Sequence, residues 1–154
     1  MNRPSLAGIH HLKFAVSDLD VSLDWWERAF GGQRQPHWDH TFPDGRLFAY
    51  MLLVPGVDAP VELRLAPGSA LVAGFDSIVF AVETREDLEG WAKHLADVGI
   101  DNSGVLRGFL GWLLVAREPD GNSLRLYTNE THDWDVEGAD VHNPWVASLE
   151  RDRL

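Results

Sequence analysis

Residues 8–31, with the sequence GIHHLKFAVSDLDVSLDWWERAFG, decide the fold. Leu12, Phe14 and Val16 are apolar at alternate positions, which is the pattern of a half-buried strand. Asp18 then occupies an N-cap position, and apolar residues follow at the spacing of one helix face: Leu19, Leu23, Trp26 and Phe30. Two glycines end this helix, because glycine adopts the left-handed conformation of a helix end at little cost. The stretch therefore predicts a strand, a turn and an amphipathic helix.

The same pattern recurs in the second half of the chain. Ile78, Phe80 and Val82 repeat the apolar positions of the first strand at a constant offset of 66 residues (78 − 12 = 66). Trp91 repeats Trp25 at the same offset, which indicates an internal duplication. A second helix is expected over residues 85–98. Each half is therefore predicted to be a βαβββ module.

Apolar runs and turn signals predict the remaining strands and the domain boundaries. Further strands are expected over residues 33–39, 47–54, 61–65, 105–107, 112–117 and 123–127. The expected organisation is a first module at 1–65, a linker at 66–74, a second module at 75–128 and an acidic extension at 129–154.

The composition restricts the class of function. A formal net charge of −11 argues against nucleic acid as a partner, because phosphates require a basic surface. The chain has no cysteine, so neither disulfides nor thiolate chemistry is expected. No apolar run resembles a signal peptide or reaches the length of a membrane span, which predicts a cytoplasmic protein with no membrane partner.

Two segments, HHLKFAVSDLDVSLDWW and EPDGNSLRLY, carry a family resemblance. In this order and spacing they resemble the vicinal-oxygen-chelate superfamily, which includes glyoxalase I, the bleomycin-resistance proteins and the extradiol dioxygenases. The resemblance covers residues 8–127. It implies an α+β fold in which two βαβββ modules form curved mixed sheets around a cavity.

The resemblance also implies four positions for a divalent metal, one on the first and one on the last strand of each module: His11, Glu62, Ser77 and Arg125. His11 and Glu62 are metal-binding residue types, whereas an arginine has no lone pair to offer. A guanidinium about 5 Å from a dication costs about 6 to 7 kcal/mol at an effective dielectric constant of about 20. These departures favour a protein without a metal cofactor. A divalent metal held by His11 and Glu62 is the alternative.

Strand alternation predicts which residues line the cavity. The polar ligand-binding residues are expected to be His11, Lys13, Glu62, Arg64, Ser77 and Arg125. The aromatic ones are expected to be Trp38, Trp112 and Tyr127. His10, on the opposite strand face, is expected to be a core or edge residue. Because three cations share this face with one carboxylate, a carboxylate or phenolate ligand is as compatible as a cationic one.

Two functions follow from these expectations. The favoured one is metal-free binding of a small organic molecule, as the resemblance to the bleomycin-resistance proteins implies, and no catalytic residue is assigned. The alternative is a metal-dependent lyase, isomerase, epimerase or dioxygenase, with Asp76, His37, His132 or His142 completing the ligand set. Acid–base catalysis by His11 and Glu62 without metal is a third possibility.

Two further expectations concern Arg125 and the C-terminal extension. In the favoured function Arg125 is expected to replace the metal, as the one cation that compensates Glu62 through two hydrogen bonds. Trp134 and Trp145 give the extension apolar area that is expected to pack on the domain or on a second subunit. A short helix is possible over residues 145–151. Because superfamily members commonly dimerise, a homodimer is predicted.

Overall fold

The chain folds into two compact units, Met1–Ser69 and Ala70–Leu154. The computed structural model describes residues 3–66 and 78–146, and within them it shows α-helices and two mixed β-sheets. The α+β class with two sheets is therefore as the sequence predicts. The second unit includes the described part of the acidic extension.

The first unit has one helix packed on a mixed sheet. Its elements are β1 Leu12–Val16, α1 Leu19–Phe30, β2 Gln33–Arg34, the 3-10 helix η1 Pro36–Trp38, β3 His40–Thr41, β4 Leu47–Leu53 and β5 Val61–Leu65. The strand order is β1-β5-β4-β2, and β3 also pairs with β4. β1 and β5 run parallel, whereas β4 is antiparallel to β5. This arrangement places β5 between β1 and β4.

The second unit repeats this topology. Its elements are β6 Val79–Val82, α2 Arg85–Asp97, β7 Leu106–Arg107, β8 Trp112–Arg117 and β9 Ser123–Thr128. The strand order is β6-β9-β8-β7, with β6 and β9 parallel and β8 antiparallel to β9. In both sheets the first strand of the module pairs with the last, as expected for a duplicated module.

Local capping explains the limits of both helices. The Asp18 side chain accepts a hydrogen bond from the Val21 amide at 3.0 Å, and Gly31 ends α1 with φ = 66°. A capping box between Thr84 and Asp87 begins α2. α2 ends at Asp97, one residue earlier than predicted. Within the described ranges, no helix is long and apolar enough to cross a membrane.

The segment predicted as a strand over residues 33–39 is different in the structure. The strand stops at Arg34, and Pro36 begins the 3-10 helix Pro36–Trp38. Proline has no amide hydrogen for a sheet ladder and its fixed φ suits a helical turn, which explains the break. Pairing with β4 resumes at His40. The prediction of a continuous strand was therefore wrong.

The described part of the C-terminal extension lies on the second unit. The amides of His132, Asp135 and Asp140 donate to the carbonyls of residues 110, 109 and 107. Trp145 and Val146 pack against a buried cluster formed by Leu106, Leu113 and Val115. The possible helix over residues 145–151 falls mainly outside the described residues. The homodimer stays a prediction.

We expect Leu63→Ala on β5 to lower the free energy of unfolding by about 2–5 kcal/mol, because it leaves a cavity in a packed core. Leu63 is fully buried. Leu53→Ala is the matched control, since Leu53 is 40% exposed at the end of β4. We expect the control to cost less than about 1 kcal/mol. Urea unfolding of both variants measures the difference, and equal losses would contradict the assigned core.

Candidate functional site

Glu62 is a buried carboxylate in the middle of the first sheet. It lies on β5, directly beside Lys13 of β1 and opposite Met51 of β4. Residues that pair across neighbouring strands point to the same sheet face. The side chain of Glu62 is only 1% exposed, so its negative charge requires compensation from nearby groups.

Four basic side chains supply this compensation. His11 Nε2 lies 3.1 Å and Lys13 Nζ 3.6 Å from Oε2 of Glu62. Arg64 Nη1 donates a hydrogen bond of 3.2 Å to Oε1, and His40 Nδ1 lies 3.8 Å from the same oxygen. We call these five residues the Glu62 cluster. The structure therefore brings together the predicted site residues His11, Lys13, Glu62 and Arg64.

His40 is the member of the cluster that the sequence analysis missed. It pairs with Ala49 of β4, which in turn pairs with Arg64 of β5, so the sheet register carries it to the face of Glu62. The sequence contains a signal from which the position of His40 could have been predicted. The turn at residues 43–45 predicts a hairpin, and the residues before that turn are the natural partners of the strand that begins at Leu47.

Arg125 was predicted to be the one cation that compensates Glu62, and the part of this prediction that excludes other cations was wrong. Lys13 and Arg64, both in the first unit, already contact the carboxylate. Arg125 and Tyr127 lie on β9 and line a pocket of about 110 Å³ in the second unit, together with Arg107 and Val146. A pairing of Arg125 with Glu62 stays a prediction.

The other predicted site residues are dispersed. Trp112 lies on the opposite face of β8 from Leu113, the partner of Tyr127, so Trp112 and Tyr127 do not share a face. The Trp112 ring contacts the His132 ring at a centroid distance of 5.0 Å. His142 is exposed in the extension. Ser77 and Asp76 lie outside the described residues.

A pocket of about 630 Å³ lies beside the Glu62 cluster in the first unit. Its walls are His10, His37, Trp38, Asp39, His40, Met51 and Pro60. His40 and Met51 connect it to the cluster, because His40 faces the Glu62 carboxylate and Met51 is the strand partner of Glu62. His10 was expected to be a core or edge residue, but it is exposed and forms part of this wall.

A chain of side-chain contacts fixes the loop that carries Trp38 and His40. Arg34 donates two hydrogen bonds to Asp39, one of them from Nε to Oδ1 at 3.2 Å, and this contact raises the pKa of Arg34. The guanidinium also lies 3.9 Å from the ring centroid of Tyr50. Burial raises the pKa of Tyr50, whose hydroxyl donates to Asp20 on α1 at 2.8 Å. The loop is thereby attached to β2, β4 and α1.

The Glu62 cluster has the ligand types that a divalent metal accepts. Within residues 3–66 and 78–146 no group of three His, Asp, Glu or Cys side chains is already arranged to hold a metal ion. His11 and His40 nevertheless lie 3.1 and 3.8 Å from the oxygens of Glu62. Ligands with metal bonds of about 2.1 Å lie about 3–3.5 Å apart. The separation of His11 from Oε2 is within this range, whereas His40 would have to move closer to the carboxylate.

Metal ligation would require Lys13 and Arg64 to withdraw from Glu62. Their side chains are 49% and 43% exposed, which leaves room for that movement. Two imidazoles and one carboxylate suit zinc, manganese or iron and leave positions for water or substrate. The donor set therefore fits a divalent metal in its chemistry, on the condition that the two cations move.

The fold and the cluster define a two-module α+β protein with a polar candidate site on the first sheet. The model of the Glyoxalase/Bleomycin resistance protein/Dioxygenase superfamily matches residues 8–126. The chain therefore belongs to this superfamily, as the sequence resemblance indicates.

One curated protein is similar in sequence to this chain, and solved structures are similar to it in fold. Metallothiol transferase FosB of Bacillus licheniformis is 28% identical over 138 residues, which cover 86% of this chain and 82% of that protein. A glyoxylase/bleomycin resistance protein/dioxygenase domain from Frankia sp. EAN1pec has a TM-score of 0.65 at 22% identity, covering 82% of this chain and 100% of that one. A variant of the fosfomycin resistance protein FosX from Listeria monocytogenes, complexed with Mn(II) and 1S,2S-dihydroxypropylphosphonic acid, has a TM-score of 0.65 at 14% identity, covering 82% and 95%.

We expect Arg34→Gln to lower the free energy of unfolding by about 1–3 kcal/mol, because it leaves the carboxylate of Asp39 without its charged partner. The Asp39 side chain is only 9% exposed. Arg46→Gln is the matched control, since Arg46 pairs with Asp44 at an exposed turn, where such pairs contribute at most about 1 kcal/mol. Denaturant unfolding compares the two variants. A loss no larger for Arg34→Gln than for the control would show that this contact does not hold the loop.

Proposed function

We propose that the protein is a metal-dependent enzyme that acts on a small anionic organic molecule at the Glu62 cluster. The observation that carries the proposal is the buried carboxylate of Glu62 between two imidazoles and two cations. The comparisons support it, because one relative is named a metallothiol transferase and another binds Mn(II) and a phosphonic acid. They favour the metal-dependent alternative of the sequence analysis over metal-free sequestration.

In this proposal His11, His40 and Glu62 hold the metal. The chemistry that a divalent metal would supply there is that of a Lewis acid toward an oxygen of the substrate. His40 takes the place of the ligands that the sequence analysis sought in Asp76, His37, His132 or His142. All three proposed ligands come from the first unit.

Lys13 and Arg64 bind the anionic group of the substrate in this proposal. When Glu62 is a ligand, both cations are free to pair with a carboxylate or phosphonate. Arg64 suits this role because its planar guanidinium donates two parallel hydrogen bonds to such groups. Its guanidinium lies 4.8 Å from the ring centroid of Phe48, which limits the directions in which it can donate hydrogen bonds. In this proposal, side chains of the protein bind and orient the substrate, and the metal is not needed for that role.

A second candidate is metal-free binding of a small organic acid. The observation that favours it is that Lys13 and Arg64 contact both oxygens of Glu62, where a metal would otherwise bind. The predicted pairing of Arg125 with Glu62 belongs to this candidate. Such a protein would retain its ligand without converting it, as the sequence analysis expected.

We expect protein purified without chelator to contain a stoichiometric divalent metal, measured by inductively coupled plasma mass spectrometry. Glu62→Gln and His40→Ala should each lower the metal content, because each removes one of three proposed ligands. His94→Ala is the matched control, since His94 lies on α2 in the second unit and contacts Trp91. Its metal content should equal that of the unmodified protein.

The same measurement separates the two candidates. A metal-free protein that gains no metal on dialysis against Mn(II) or Zn(II), yet binds an organic acid, would contradict the enzyme proposal and support the second candidate. A metal content that His40→Ala leaves unchanged would exclude His40 as a ligand. Circular dichroism of each variant verifies that the fold is intact.

A further inference from the structure

We propose that the substrate carries a planar aromatic or heteroaromatic group next to its anionic group. The inference rests on the proposed function and names the substrate class of the same site. It comes from the 630 Å³ pocket beside the Glu62 cluster, which we call the Trp38 pocket. The anionic group lies at Lys13 and Arg64, and the ring lies in the Trp38 pocket.

The size of the Trp38 pocket is the first argument. Its volume of about 630 Å³ lies within the range of about 300–1,000 Å³ that is typical of sites for drug-sized ligands. A three-carbon phosphonic acid, such as the one bound by the FosX relative, has no group that would fill such a space. The pocket therefore fits a larger molecule than the compounds named with the fosfomycin-resistance relatives.

The chemistry of the walls is the second argument. Trp38 is 42% exposed and its ring packs on that of His37 at a centroid distance of 4.9 Å. Met51 and Pro60 add apolar surface, and a thioether makes favourable contacts with aromatic rings. Asp39 is the one acidic residue among the lining residues, and Arg34 already binds it. Walls that combine an indole ring, imidazole rings and apolar side chains favour an aromatic ring as their ligand.

The connection between pocket and cluster is the third argument. His40 lines the Trp38 pocket and its Nδ1 lies 3.8 Å from the Glu62 carboxylate. Met51 lines the pocket and is the strand partner of Glu62. A ring in the pocket and an anionic group at the cluster would therefore both lie beside His40.

The loop that forms the pocket wall is held in place before a ligand binds. Asp39 follows Trp38 directly and is fixed by Arg34, whose guanidinium lies on the ring of Tyr50. A wall that is already positioned loses little conformational entropy on binding, which favours tight binding of a ligand that fits it. The sequence analysis predicted that Trp38 binds the ligand. The structure shows that Arg34, Asp39 and Tyr50 hold the loop on which Trp38 lies.

Two phosphonates that differ in one group test this inference: methylphosphonate and phenylphosphonate. We expect isothermal titration calorimetry of the protein as purified to show that phenylphosphonate binds about tenfold more tightly or better, because its ring packs on Trp38. Trp38→Ala should remove this preference and leave the weaker binding of methylphosphonate unchanged. Trp38→Phe should retain most of the preference, since it keeps an aromatic face. Arg64→Gln should weaken the binding of both compounds.

Trp134→Ala is the matched control, because Trp134 is 66% exposed in the second unit and does not line the pocket. Equal affinities for the two phosphonates would overturn the aromatic inference and leave the proposed anion site intact. A preference for phenylphosphonate that survives in folded Trp38→Ala would also overturn it. Failure of both compounds to bind would contradict the inference and the anion-binding role of Lys13 and Arg64 together.

Discussion

A carboxylate buried in the central strand of a sheet is the constraint on which the site depends. Glu62 has no access to water, and β1 and β4 enclose it on both sides. A negative charge in such a position is stable only when other groups replace its hydration. His11, Lys13, His40 and Arg64 all meet this requirement, and each reaches the carboxylate because the sheet register or the adjacent strand end places it there. The fold thus brings four basic side chains of the first unit to one carboxylate.

The two modules share a topology but differ in chemistry at equivalent places. In the first unit the face that carries Glu62 is polar. In the second unit the corresponding strand β9 carries Arg125 and Tyr127, and the partner strand β8 contributes Leu113 and Val115 to an apolar cluster. The C-terminal extension packs on that cluster through Trp145. The duplication has therefore produced one polar site and one surface used for internal packing.

Most helices and strands could be predicted from the sequence, because alternation, caps and turn residues are local signals, whereas the arrangement of two sheets was implied by the family resemblance. A period of two along each strand predicted that His11 shares a face with Lys13 and Glu62 with Arg64. The resemblance implied that the two pairs face the same site, and the register of β1 with β5 places them on one face. His40 was missed, because Pro36 interrupts the edge of the sheet and the register after that break is set by pairing with β4. The Trp38 pocket depends on contacts between Arg34, Asp39 and Tyr50. Arg34 and Asp39 are five residues apart but do not follow a strand or helix period, and Tyr50 lies on another strand, so these contacts have no local signature.

The position of a bound metal tests the central claim most directly. Crystals of the protein grown with Mn(II), with diffraction data collected at the manganese edge, would locate the ion by its anomalous signal. The account predicts one peak within bonding distance of His11 Nε2, His40 Nδ1 and a carboxylate oxygen of Glu62, with Lys13 and Arg64 turned away from that carboxylate. A manganese peak at other residues, or a fully ordered Glu62 cluster with Lys13 and Arg64 still on the carboxylate and no peak, would contradict it.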